Sequence, residues 1–343
     1  MFTLPLLLVA PSPSVLAAGT VSSTPSALPS PTPTATPTGT PSASPSPSGT
    51  VSATPSPSST IPVLPPLVLP PTIDRAVPTN LKPALANVQK DRPKPYFDRC
   101  HVQQNLIASK AKCLYGNLTS KTTIVLFGDS HALSWFPAVE QLAKLKKWRF
   151  YSLTMSSCWP SDIPAWNSTT NKLMTNCAIW RNNTLKQIVK LHPAIVIVSG
   201  TRGFATIGAD KSVLKGDARA AAWQAGMKRT IDRLKLASKH VYLLSDTPTS
   251  IDNPAMCLSV NRTSVLECGT PVKDAVSTTW LAIEKGVADS EKISWIDPTL
   301  WICPTNPCVP IVGNTLMYVD GGHLTATFAL TLEKQLAKVI SKP

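Results

Sequence analysis

The chain has 343 residues, 33 Lys+Arg against 19 Asp+Glu and a formal charge of +14, and every charged side chain lies at or beyond Asp74. The first 73 residues hold 18 of the 34 prolines and no charged residue, so one globular composition for the whole chain is excluded. No apolar run reaches the ~18–20 residues that a membrane-crossing helix needs, which excludes a multi-span membrane protein for the chain as given.

In chain order, residues 1–18 (MFTLPLLLVAPSPSVLAA) carry a short apolar stretch and the small-residue pattern Val15-Leu16-Ala17. They resemble a secretory signal, although a signal normally begins with positive charge and this one has none. The alternative is the residual end of a longer membrane-embedded protein. Residues 19–73 repeat Thr-Pro-Ser and Pro-Ser-Pro-Ser. Proline denies backbone donors and small polar side chains offer little to bury, so this stretch is expected to be a disordered, semi-extended linker or tether. Ile61–Pro71 is more apolar and is expected to pack onto the body.

Residues 74–343 are expected to form one body. Thr122–Phe127, Trp148–Leu153, Ala194–Ser199, His240–Ser245 and Ile293–Asp297 are the strand candidates. Several are nearly continuous in apolar, β-branched residues, as strands buried on both faces of a parallel sheet require. Between them, Ala132, Trp135, Phe136, Val139, Leu142 and Ala143 share one helical face. Further helical stretches end near Gln187–Val189, cover Ala218–Leu236 and Val272–Val287, and close the chain over Thr325–Ile340. The alternation implies a three-layer α/β/α sandwich, whose site lies beyond the carboxyl ends of the strands.

The eight cysteines, Cys100, Cys113, Cys158, Cys177, Cys257, Cys268, Cys303 and Cys308, are even in number and absent before the body. Many pairings are formally open, and their order suggests four local loops: 100–113, 158–177, 257–268 and 303–308. No pair has Cys-x-x-Cys spacing and only five histidines are present, so neither a metal site nor a cofactor is expected. Disulfides place the chain outside the cytoplasm, in the cell envelope or secreted.

The first predicted strand ends in Phe127-Gly128-Asp129-Ser130-His131-Ala132. Gly128 allows a tight turn, and Ser130 then opens a helix where free N–H groups favour developing negative charge. A nucleophilic hydroxyl suits that position, although Ser and Asp are also ordinary helix caps. Near the C-terminus, Tyr318-Val319-Asp320-Gly321-Gly322-His323-Leu324-Thr325 places an acid three residues before a histidine on a glycine-bearing turn. Asp320 could orient the imidazole, and His323 could take the Ser130 proton. The other histidines compete poorly: His131 is expected to point off the helix start, His192 to sit on a surface turn and His240 to open a strand.

Gly128-Asp129-Ser130-His131-Ala132, Cys158-Trp159-Pro160 and Asp320-x-x-His323-Leu324-Thr325 together resemble the SGNH hydrolase superfamily. The resemblance is to its extracytoplasmic branch fused to membrane acyltransferases that O-acylate surface glycans, and it runs from about Arg99 to the chain end. It implies a flavodoxin-like α/β/α sandwich, with Ser130 as nucleophile, His323 as base and Asp320 as orienter. Two departures stand out. The second block, usually offering a Gly N–H to the oxyanion, reads Met155-Ser156-Ser157-Cys158, so Ser157 is the expected donor beside Ser130. The third block, usually Gly-x-Asn-Asp, reads Ser199-Gly200-Thr201-Arg202-Gly203, leaving Thr201 or Arg202 as substitutes for the absent Asn. Losing one oxyanion donor costs ~10²–10³ in rate, which would suit a transferase that hydrolyses slowly.

Trp135, Trp159 and Trp166 are candidate platforms for a sugar or acyl chain, with Arg202 and Trp159 the expected substrate contacts. The expected activity is O-acylation, acetylation above all, of a cell-surface glycan, with a membrane acyltransferase donating the acyl group. Alternatives are an esterase using the same triad and a non-catalytic glycan-binding module. The positive body is expected to face an anionic envelope surface, and no nucleic-acid partner is expected.

Overall fold

The computed structural model describes residues 64–109 and 111–340. The leader and the linker as far as residue 63 lie outside the described residues. Among those described, the central sheet contains β1 (His101–Val102), β2 (Leu114–Gly116), β3 (Thr123–Gly128), β4 (Arg149–Met155), β5 (Ile195–Ser199), β6 (His240–Leu244) and β7 (Ser294–Ile296). The order is β1-β4-β3-β5-β6-β7 with parallel pairing throughout, and β2 runs antiparallel along the other end of the β4 edge. From β4 to β7 this is the doubly wound order, in which the chain's progress across the parallel sheet reverses between β3 and β5.

Besides short helices at Pro254–Val260, Val272–Ala275 and Thr299–Ile302, the helices are α1 (Ser130–Ser134), α2 (Phe136–Leu145), α3 (Thr175–Leu191), α4 (Gly216–Lys235), α5 (Thr278–Glu291), α6 (Ala326–Thr331) and α7 (Glu333–Val339). Side chains alternate across a strand, and here the alternation builds two cores. Ile124 and Leu126 of β3 join Leu133, Val139 and Leu142 of the first helices with Phe328 and Leu336 of the last two. Val125 and Phe127 face the other way, onto Trp180 and Ile188 of α3, Met227 and Ile231 of α4, and Val287 of α5. Phe127 is fully buried, and truncating such a side chain to Ala costs ~3–5 kcal/mol.

Three expected helices are interrupted, the first, from Ala132 to Ala143, dividing at Trp135 into α1 and α2. Val272–Val287 breaks at Val276–Ser277, where Val276 is extended and the Ser277 hydroxyl accepts from Trp280 N–H to start α5. Thr325–Ile340 divides at Leu332 into α6 and α7. The apolar end of the linker packs onto the body, as its composition suggests, with Leu64, Leu67 and Leu69 against Val272, Val276 and Leu281. The backbone pins them there: Asn306 N–H donates to Pro70 O and Thr72 N–H to Asn306 O.

All four local disulfides form as the cysteine order suggests: Cys100–Cys113, Cys158–Cys177, Cys257–Cys268 and Cys303–Cys308. Among the described residues no helix is long and apolar enough to cross a membrane.

Candidate active site

β3 ends at Gly128, where a Cβ would collide with the Ser199 carbonyl and lie 2.7 Å from the Ala132 Cβ. Only glycine lets the chain turn there into α1. Asp129 caps that helix, its Oδ1 accepting from His131 N–H at 2.8 Å and Ala132 N–H at 3.4 Å. Its Oδ2 accepts from Thr201 N–H at 2.8 Å, tying the turn after β3 to the turn after β5. The site therefore sits at the reversal point of the sheet.

Ser130, the first residue of α1, places its Oγ 2.9 Å from His323 Nε2. His323 Nδ1 lies 2.8 and 3.0 Å from the two oxygens of Asp320. The carrying turn is tight, with Val319 N–H donating to His323 O at 2.8 Å and Tyr318 bridging to Leu324. Burial opposes ionisation of Asp320, but the His323 hydrogen bond and charge, with the Gly322 and His323 N–H groups, outweigh it. The carboxyl is held well below the usual carboxylate range. An ionised Asp320 accepts a hydrogen bond from His323 Nδ1–H, which leaves Nε2 to accept from the Ser130 hydroxyl. Ser130, His323 and Asp320 are thus linked within hydrogen-bond reach, and Arg92 Nη2 stands 3.6 Å from Asp320 Oδ2.

The backbone donors expected for an oxyanion are unequal. Ser130 N–H at the start of α1 and Ser157 N–H beyond β4 have no protein partner among the described residues. Ser157 is exposed, with φ +53°, and is followed at once by the Cys158–Cys177 bridge. Thr201 N–H, by contrast, is engaged by Asp129, and its hydroxyl accepts from Gly203 N–H at 2.9 Å.

The expected substrate contacts lie elsewhere. The Arg202 guanidinium turns inward and forms a two-pronged pair with Glu284 of α5, at 3.1 and 2.8 Å. A group so paired and buried is a brace for the loop after β5, not an open ligand for substrate. Trp159 is 4% exposed and packs on Phe204 at 5.6 Å between centroids, so it belongs to the core. Trp135 is fully buried, whereas Trp166 is half-buried in a hairpin whose N–H donates to Ala205 O.

Sequence reasoning missed His131 and Asp246. His131 does not point away from the helix start: its Nδ1 lies 2.7 Å from Asp246 Oδ1, and its ring stands 4.7 Å from that of His323. Asp246 Oδ1 also accepts from Thr247 N–H and its Oδ2 from Arg202 N–H. The available signal was an acid at the carboxyl end of a strand, in Leu244-Ser245-Asp246.

The model of the family described as SGNH domain (fused to AT3 domains) matches residues 99–338. No curated protein matches the chain. Among solved structures, the periplasmic domain of a lipopolysaccharide acetyltransferase from Salmonella ser. Paratyphi A is 16% identical. It covers 75% of this chain and 97% of its own, with a TM-score of 0.55. A putative acylhydrolase from Bacteroides fragilis is 12% identical, covering 65% and 88%, at a TM-score of 0.39. An acetylxylan esterase from Geobacillus stearothermophilus, solved as a catalytic mutant, is 13% identical, covering 66% and 97%, at 0.36. The family match over most of the body and the shared fold identify the chain as a member of the SGNH domain family that occurs fused to AT3 domains.

Proposed function

We propose that this protein transfers a short acyl group, acetyl in the first instance, to a hydroxyl of a cell-envelope glycan through an acyl-Ser130 intermediate. The observation that supports this most is the chain of contacts from Ser130 Oγ through His323 to Asp320, at 2.9 and 2.8 Å. Ser130 Oγ attacks the carbonyl carbon of the donor ester while His323 Nε2 takes its proton. The tetrahedral oxyanion is held by the N–H groups of Ser130 and Ser157, both without partners among the described residues. His323 returns the proton to the leaving oxygen as the old ester bond breaks, leaving the acyl group on Ser130. The glycan hydroxyl then gives its proton to His323 and attacks; the new ester forms and Ser130 regains its proton. Asp320 stabilises the imidazolium that exists between the two proton transfers.

The donor is proposed to be supplied by a membrane acyltransferase of the AT3 type, in keeping with the family's usual fusion. The four disulfides support an oxidising, extracytoplasmic location.

The test uses purified protein, an activated acetyl ester and envelope oligosaccharides. Acetyl should partition to sugar hydroxyls, and a fluorophosphonate should label wild type but not Ser130→Ala. Rapid hydrolysis with no acetylated sugar would make water the acceptor and the protein an esterase. Absence of wild-type labelling would remove the nucleophile assignment altogether.

A further inference from the structure

Behind His323 lies a second acid–imidazole pair that the acyl-transfer steps do not use. His131 immediately follows Ser130, and its ring meets that of His323 at 4.7 Å between centroids and a 56° tilt. Gly322 permits the approach, since a Cβ there would stand 2.8 Å from His131 Cε1. The charged groups around His131 come from every element packed on it. Asp246 faces it from the end of β6 at 2.7 Å, and Asp129 from the end of β3. Asp320 and His323 face it from the C-terminal turn, with Arg92 beyond Asp320. Arg202 stands on the far side of Asp246, to which it donates its N–H.

We propose that His131 is a positioning residue that holds a fixed imidazolium against His323, so that placing a proton on His323 is less favourable with His131 present than without it. This rests on the acyl-transfer reading above and adds to it the control of its base.

The geometry carries the argument. Asp246 receives His131, Thr247 N–H and Arg202 N–H, a donor set that favours the carboxylate. An ionised Asp246 in contact with Nδ1 favours the charged imidazole. Burial pulls His131 down, but Asp246, with Asp129 and Asp320 assisting, outweighs it and pushes it up to about 9. A second positive charge on His323, in ring contact with the first, is then disfavoured. Asp320 acts in the opposite sense, stabilising protonated His323 once the proton has moved. The base is thereby held between two influences, one setting when it is free and the other supporting it when charged.

The experiment is an imidazole ¹⁵N NMR titration of the full chain, with resonances assigned by variants, alongside the pH profile of kcat/KM on p-nitrophenyl acetate. In wild type His131 should stay protonated through pH 8. In His131→Gln the His323 midpoint and the acid limb of kcat/KM should both rise by about one pH unit or more. In Asp246→Asn, His131 itself should titrate more than about one unit lower, which keeps the test available if His131→Gln does not fold. An unmoved His323 midpoint in folded His131→Gln overturns the proposal, as does an unmoved His131 midpoint in Asp246→Asn. Shifted NMR midpoints in a protein that neither cleaves the ester nor labels with fluorophosphonate would uphold this inference and remove the acyl-transfer reading.

Discussion

The Asp129 carboxylate accepts the Thr201 N–H at 2.8 Å, joining the turn that presents Ser130 to the turn that follows β5. Asp129 is fully buried and serves three backbone donors, so Asp129→Ala strands one buried and two part-buried N–H groups at once. Each such group costs ~1–3 kcal/mol. We expect a loss of at least ~2 kcal/mol in chemical denaturation and a fall in Ser130 labelling, with Asp129→Asn milder on both. A full labelling rate in Asp129→Ala would show that the turn holds its shape without the tie.

The Asp320–His323 contact gives a second expectation. Asp320→Asn keeps the shape but offers Nδ1 the wrong partner, so the neutral tautomer with a free Nε2 loses its support. Ester cleavage should fall by ~10³–10⁴ with little change in Tm. Because the Asp320 carboxyl is held well below its ordinary range, its contribution to stability is present above that range and lost as pH falls through the lowered value. Asp320 ionisation should therefore leave no inflection in activity between pH 5 and 9.

His131 has the opposite linkage. Its midpoint is raised from 6.5 to about 9, so its contribution to stability is complete below pH 6.5 and disappears as pH rises through about 9. Denaturation at pH 6.5 and at pH 9.5 should differ by up to ~3 kcal/mol from this group alone. His131→Gln should flatten that difference, and an equal slope in the variant would place the pH dependence elsewhere.

Ser157 owes its position to its neighbour, since Cys158 is tied to Cys177 of α3 across 19 residues of chain. Opening a loop of that length by Cys158→Ala/Cys177→Ala should cost ~3 kcal/mol. It should also slow acylation of Ser130 beyond the effect of instability, because the Ser157 N–H is no longer anchored. Rates at a temperature where both proteins are fully folded separate the two effects.

The segment before the family match also reaches the site. Asp91 accepts Ala326 N–H through its carbonyl and Thr327 N–H through Oδ1, Gln89 donates to Val319 O, and Arg92 approaches Asp320. Asp91→Ala should cost ~1 kcal/mol as a lost helix-start contact. A protein shortened to residues 99–343 should be markedly less stable and slower, since the turn bearing Asp320 and His323 loses three supports; equal activity would make the segment dispensable.

What could be read from sequence follows the range of the physics. β3 and β5 announce themselves as apolar, β-branched runs, because both faces of a parallel strand are buried, whereas β4 and β6 are more mixed in composition. β1 and β2 are two and three residues long and carry no period to detect. Ser130, Asp320 and His323 sit in short local patterns, each with glycine beside it, so residue type and spacing sufficed to nominate them. The roles of Arg202 and His131 depend on Glu284 and Asp246, which lie 82 and 115 positions away. Nothing local distinguishes a guanidinium that will meet a buried glutamate from one that will meet a ligand.

The two short strands that share the β4 rim have a consequence for solubility. A long apolar strand with a free edge is a template for another chain. Here β1 covers Thr154 and Met155, β2 covers Arg149 to Tyr151, and the Cys100–Cys113 bridge links the two. The opposite rim is β7, three residues long. The bridge thus acts as a guard on the sheet, and its reduction would unmask the β4 edge and favour self-association.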